Sequence, residues 1–153
     1  MAELLPPRLM LLCGLPGSGK ATLAKRLEGE VPALRLCPDE WMTGLGVDLF
    51  DVRFRAKLER ALWKLAQEAL RLGQSVILEF GFWSRAERDD MRAVGRALGA
   101  SVELHYLSAP LDELVRRVEA RGTVAIPREL MVEYAPLFEA PDRQELDLFD
   151  RPV

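Results

Sequence analysis

Histidine occurs once in the 153 residues, at His105, and cysteine twice, at Cys13 and Cys37. With one histidine, neither a His-based metal cluster nor a convincing Ser-His-Asp set can be assembled, and His105 reads as a strand residue that packs or hydrogen-bonds. Two cysteines make at most one bridge, and both lie in apolar stretches that read as strands, so reduced thiols are expected rather than a disulfide framework. No apolar run approaches the ~20 residues that span a bilayer. Met1-Ala2-Glu3-Leu4-Leu5-Pro6-Pro7 lacks a positive leader and a small-residue cleavage site, which gives the expectation of a cytoplasmic chain with no membrane partner. There is also no basic surplus: 21 Lys and Arg stand against 24 Asp and Glu, for a net charge of −3. A DNA-coating or membrane-surface protein usually needs a basic face, so both are disfavoured. Repeats and low-complexity tracts are missing too. What remains, 49% hydrophobic and 29% charged, suits a soluble globule, and the length predicts one domain over residues 1–153.

Short apolar runs alternate with longer amphipathic segments, the pattern of an α/β protein with a parallel sheet. Leu9 to Cys13 predicts a buried strand, Gly14 to Gly19 a loop, and Lys20 to Glu28 a helix ended by Gly29. Ala33 to Cys37 predicts a second strand, stopped by Pro38. From Phe54 to Leu72, apolar residues recur at helical spacing, with Gly73 as the C-terminal cap. Ser75 to Phe80 is a third strand. Ser84 with Glu87 three residues on forms a capping box for a helix over 85–98, and Val102 to Leu107 is a fourth strand. The next helix carries Leu111, Leu114, Val115 and Val118 and ends near Arg121. A further helix is predicted from Ile126-Pro127 to about Phe138, and the apolar run Leu146 to Phe149 is read as a fifth strand.

Gly14-Leu15-Pro16-Gly17-Ser18-Gly19-Lys20 satisfies Gly-x-x-x-x-Gly-Lys and sits between a buried strand and a helix, where a phosphate-binding loop belongs. Glycines let successive N–H groups turn toward phosphate oxygens, the helix adds its positive end, and Lys20 reaches the β and γ phosphates. A plain tight turn would not explain the lysine. The next position normally offers a Ser or Thr hydroxyl to magnesium, but here it is Ala21, followed by Thr22. Successive helix residues point about 100° apart, so Thr22 does not inherit that role and is left to touch the α-phosphate.

Asp39 follows the second strand, where a carboxylate can accept the proton of a substrate hydroxyl, the role its placement favours; capping a short helix after Pro38 is the other reading, and the two can coexist. Glu79 closes the third strand and resembles a Walker B acid that holds magnesium through water. Arg117 and Arg121 share one flank of their helix while Arg116 projects to the opposite side, which makes the first two the lid candidates. Trp41 and Trp83 flank the predicted site, and Arg85 could contact an anionic substrate, although Arg85, Arg88 and Arg92 alternate with Glu87, Asp89 and Asp90 as on a solvated face.

Together with Pro38-Asp39-Glu40-Trp41, Val76-Ile77-Leu78-Glu79, Gly81-Phe82-Trp83-Ser84-Arg85 and Leu114-Val115-Arg116-Arg117-Val118-Glu119-Ala120-Arg121, the loop resembles the small P-loop kinases. The similarity covers most of the chain and is to the zeta-toxin, chloramphenicol phosphotransferase and polynucleotide kinase type, in particular its short bacterial AAA-like ATP-binding members. It implies a three-layer P-loop NTPase fold of nucleotide-kinase type, with a parallel sheet of about five strands and a short lid over about 117–128. It also implies ATP and Mg2+ as cofactors. Lys20, Asp39 and Arg117 become the expected catalytic residues, and residues 14–22 with Arg121 the expected nucleotide site. Glu79 is the expected metal-organising residue, and Asp39, Trp41, Trp83 and Arg85 face the acceptor. Two positions depart from the family: Ala21 replaces Ser or Thr, and Phe80 stands where the short bacterial members tend to have Asn. The expected activity is transfer of the γ-phosphoryl group of ATP to a hydroxyl of an antibiotic, sugar nucleotide or nucleoside, by a monomer or homodimer. The alternative is a catalytically weak ATP-binding module that changes the shape of a partner. A GTPase is disfavoured because no Asn-Lys-x-Asp motif occurs, and a nucleic-acid end kinase by the acidic balance and the lack of a long basic stripe.

Overall fold

In the strand β1 (Arg8–Cys13), five successive side chains from Leu9 to Cys13 are fully buried, the mark of a strand covered on both faces. The computed structural model describes residues 5–121 and 126–152. From β1 the chain passes through the loop into α1 (Lys20–Glu30), then β2 (Ala33–Leu36), α2 (Pro38–Gly44), α3 (Val52–Arg71) and β3 (Ser75–Gly81). It continues through α4 (Arg85–Ala97), β4 (Ser101–Tyr106), α5 (Leu111–Arg121), α6 (Arg128–Tyr134), a 3-10 turn (Ala135–Leu137) and α7 (Arg143–Leu146). All the pairings are parallel, in the order β2-β3-β1-β4, with Leu9 opposite both Val76 and Val102. Because β1 is central, the loop that leaves its carboxyl end lies between the ends of β3 and β4, the edge at which open parallel sheets bind ligands.

Alternation along the strands divides the core. Leu9, Leu11, Val76, Leu78 and Val102 face Leu58, Leu62, Ala66 and Leu70 of α3 and Met91 of α4. Met10, Leu12 and Ile77 face Ala24 and Leu27 of α1 on the other side. The result is three layers, helices on both faces of one parallel sheet. A smaller cluster joins Leu114, Val115 and Val118 of α5 to Met131 of α6, with Leu15 of the loop packed against it. Asp51 caps α3 by accepting from the Phe54 N–H at 3.0 Å, and Ser84 caps α4 by accepting from Glu87 at 3.4 Å. Both cysteines are free, and burial pushes each thiol up to about 11. No described helix is long and apolar enough to cross a membrane.

Several expectations need correction. Four strands form the sheet, not about five. The run 146–149 instead completes α7 and a turn, because Asp142 caps a helix there by accepting from the Glu145 N–H at 2.8 Å. Only isolated contacts reach the sheet: Phe149 is buried in the core, and Asp150 exchanges hydrogen bonds with Val102 at the edge of β4. Helix α1 continues through Gly29 to Glu30. Strand β2 ends at Leu36, and Cys37, not Asp39, is the N-cap of α2, without a side-chain bond. The helix predicted to reach Phe138 stops at Tyr134, since Pro136 has no N–H to continue it. Of the lid expected over 117–128, residues 122–125 lie outside the described residues.

Candidate active site

The loop is shaped by close backbone approaches that only glycine permits. A Cβ at Gly14 would lie 2.5 Å from Ser18 Oγ and 2.7 Å from the Leu107 carbonyl oxygen. At Gly17, where φ is +84°, it would lie 2.7 Å from the Leu114 carbonyl oxygen. The Gly14 N–H donates to the Gly81 carbonyl at 3.0 Å, tying the start of the loop to the end of β3. Ser18 is buried, yet its Oγ has no hydrogen-bond partner. Buried hydroxyls are normally satisfied, so this one suits an oxygen-bearing ligand held in the loop.

Helix α1 opens on Gly19, in a left-handed conformation, with no side-chain cap and no acidic residue in its first turn. Its first N–H groups and its dipole therefore face the loop uncompensated, as an anion site requires. The Lys20 ammonium donates to the Gly14 carbonyl at 2.9 Å and to the Leu15 carbonyl at 3.0 Å. Burial lowers its pKa to about 8; Asp39 and Glu79 push it up and Arg121 pushes it down. The described hydrogen bonds of Lys20 go to these two loop carbonyls, while Asp39 and Glu79 each pair with an arginine. This loop fits a nucleotide's phosphates.

Beyond α1, a groove of about 640 Å³ runs past Thr22, Arg26, His105, Tyr106 and Arg117. Arg117 donates to the Gly17 carbonyl at 3.3 Å and to Glu113 at 3.0 Å, so this lid candidate already rests on the loop. Arg116 pairs with Glu113 and is largely exposed. His105 bonds Glu103 at 2.9 Å, the role read for it from the sequence.

Asp39 lies in the first turn of α2, exposed, with Arg55 of α3 at 2.7 Å. Arg55 also donates to the Leu49 carbonyl at 3.0 Å, which steadies its pairing with the Asp39 carboxylate. Nearby Glu59 of α3 is pushed up to about 7 by burial and then by Glu87 and Asp39, against the pull of Arg55. Neither Arg55 nor Glu59 stood out in the sequence, because both sit in the regular polar spacing of a long amphipathic helix. Trp83 packs on Tyr134 at 5.1 Å and places its indole nitrogen 3.1 Å from where a Gly81 Cβ would be. Trp41 is exposed on α2, and Arg85 pairs with Asp89 on the surface of α4, so neither is drawn to the loop by a contact.

Glu79 is buried and is bonded through both oxygens to Arg35 of β2, from Nε at 2.5 Å and from a terminal nitrogen at 3.3 Å. The other terminal nitrogen of Arg35 holds Glu40 at 2.9 Å. Burial pushes the Glu79 carboxyl up and Arg35 pulls it back. Sequence reasoning missed Arg35; the signal was a charged residue between Leu34 and Leu36 in a half-buried strand, two positions diagonal to Glu79 across the β2–β3 ladder. The donor set fits a divalent cation poorly. Residue 21 offers a methyl group, and a guanidinium in contact with Glu79 repels a second cation. Among the described residues, no group of three His, Cys, Asp or Glu could hold a metal ion.

The family model that matches residues 9–140 is described as the AAA domain. Among curated proteins, the bifunctional enzyme NodQ of Azospirillum brasilense is 33% identical over 152 residues, 93% of this chain. The chain spans only 24% of the length of that relative. Among solved structures, the Pnkp1/Rnl/Hen1 RNA repair complex superposes with a TM-score of 0.75 at 21% identity, over 94% of this chain and 46% of that one. The Mycobacterium tuberculosis APS kinase CysC, in complex with AMPPNP and APS, gives a TM-score of 0.58 at 28% identity, over 73% of this chain and 68% of that one. The fold shared with these structures is that of the P-loop kinases.

Proposed function

The chain belongs to the AAA domain family, and on that footing we propose that it is an ATP-dependent phosphotransferase acting on a hydroxyl of a small molecule. The proposed domain is residues 1–153, and the proposed type is that of the zeta-toxin and chloramphenicol phosphotransferase kinases. One observation carries the reading: Lys20 is a half-buried cation at the bare N-terminus of α1, and its hydrogen bonds go to neutral carbonyl oxygens, not to a carboxylate. A triphosphate supplies the missing negative charge.

In this reading the loop amides and Lys20 bind the β and γ phosphates, and Ser18 gains a partner for its hydroxyl. Arg117 and Arg121 lie over the phosphates and neutralise charge that spreads on the transferring group. Asp39, steadied by Arg55, takes the proton of the acceptor hydroxyl as its oxygen attacks phosphorus, and ADP leaves. Trp41, Trp83 and Arg85 border the acceptor's approach. The acceptor classes that suit this arrangement are an antibiotic, a sugar nucleotide or a nucleoside.

The test is ADP release from ATP across a panel of such hydroxyl compounds, with Asp39→Asn as the control. Acceptor-dependent release that falls at least ~100-fold in Asp39→Asn, with ATP affinity unchanged, supports the kinase, since general-base groups contribute roughly 10²–10⁴-fold. A second reading is favoured by Ala21: a nucleotide-responsive module acting on a partner. It predicts ATP binding without acceptor-dependent release on any compound.

A further inference from the structure

Resting on the nucleotide reading above, we infer that this chain lends no ligand to the nucleotide's metal ion, so that its affinity for ATP is indifferent to magnesium. Two places in a phosphate-loop site ordinarily bias it toward the metal complex, a hydroxyl just after the lysine and an acid at the end of the neighbouring strand. Both are altered here, by unrelated means.

The first is a matter of composition. Ala21 carries a methyl group, and the neighbouring hydroxyl, Thr22, is turned about 100° around the helix and lines the groove with Arg26 and His105. The second is a matter of tertiary pairing. Glu79 has a resident cation: Arg35 contacts both of its oxygens and is held from the other side by Glu40, leaving the arginine side chain only 10% exposed. A guanidinium does not lose its proton at any ordinary pH, and its three-nitrogen attachment resists displacement. A magnesium ion drawn toward Glu79 would have to approach that fixed charge, and breaking the buried pair would strand whichever partner is left behind. The metal therefore arrives and departs on the phosphates, bound by their oxygens and by water, and the protein's own contribution to neutralising the triphosphate is Lys20 with the α5 arginines.

Calorimetric titration of ATP into the wild type and Ala21→Ser, in magnesium and in EDTA at matched ionic strength, tests this. The expected result is a dissociation constant for the wild type that changes less than fivefold between the two buffers, and a serine variant that magnesium strengthens fivefold or more. A change of fivefold or more in the wild type, in either direction, overturns the inference while leaving the nucleotide reading intact. A serine variant as indifferent as the wild type overturns the part assigned to residue 21. Absence of ATP binding in both buffers overturns the nucleotide reading together with what rests on it.

Discussion

A lysine that donates to two carbonyl oxygens holds a charge that those partners orient without neutralising. Below about pH 8 Lys20 is protonated in the free protein, and a bound phosphate favours the protonated form still more. Binding at low pH therefore needs no proton. Above about pH 8 the free protein has lost the proton and must take one up to bind, so ATP affinity should fall as pH rises, by up to ~10-fold per pH unit. Titrations in buffers of different ionisation enthalpy measure that uptake directly, and a flat profile between pH 7 and 9.5 would show that binding draws no proton onto Lys20 in that range. Lys20→Met should weaken ATP binding by about 2–3 kcal/mol, roughly 30- to 150-fold, the size of a hydrogen bond to a charged group.

At the scale of the element, the loop and α1 make one unit, and its glycines are not equivalent. Gly17 and Gly19 both have positive φ, at +84° and +102°, but an added Cβ meets the Leu114 carbonyl oxygen at 2.7 Å in the first case and nothing within 4 Å in the second. Gly19→Ala should therefore cost only the backbone strain, about 1 kcal/mol, measured by chemical denaturation. Gly17→Ala adds a clash with helix α5 that only movement of α5 relieves, so its cost should exceed that of Gly19→Ala by about 1–2 kcal/mol. The same movement would carry Arg117 off the loop, since its contact is with the Gly17 carbonyl. Equal stabilities for the two variants would count against a loop braced by α5.

Across the whole molecule, a fully buried ion pair is among the ties that hold the C-terminal segment to the turn after β3. Arg88 is fully buried; it binds Glu145 at 2.6 and 2.9 Å and also donates to the Phe82 and Glu139 carbonyls, each at 2.7 Å. Phe82, with a φ of +51°, directly follows Gly81, the last residue of β3, whose carbonyl accepts the Gly14 N–H. Arg88 therefore joins α4, the C-terminal helix α7 and the base of the phosphate loop. Glu145→Gln should cost ~3–5 kcal/mol by leaving a buried guanidinium without its counter-charge, followed in urea through tryptophan fluorescence. The double variant Arg88→Met with Glu145→Leu should cost less than the sum of the two single changes, because it leaves no stranded charge.

Local chemistry was enough, in the sequence, to determine the strand-loop-helix that presents Lys20, the caps at Ser84 and Gly73, the alternation that makes a parallel sheet, and the nearness of Asp39 and Glu79 to the carboxyl edge. Each of these follows from residues within one element or one turn, where spacing and backbone preference decide the outcome. Only the tertiary structure decided the partners of the charges. Arg35 and Glu79 are 44 positions apart and Arg88 and Glu145 are 57 apart, and in the sequence each looked like an ordinary charged residue or a free site acid. Burial converts such residues into fixed pairs, because a charge removed from water has to find its opposite among whatever the fold brings within reach. The fifth strand failed for the same kind of reason: a strand needs an edge in register over several residues, whereas at 146–149 a local cap and one buried phenylalanine were enough to settle the chain as a helix and a turn.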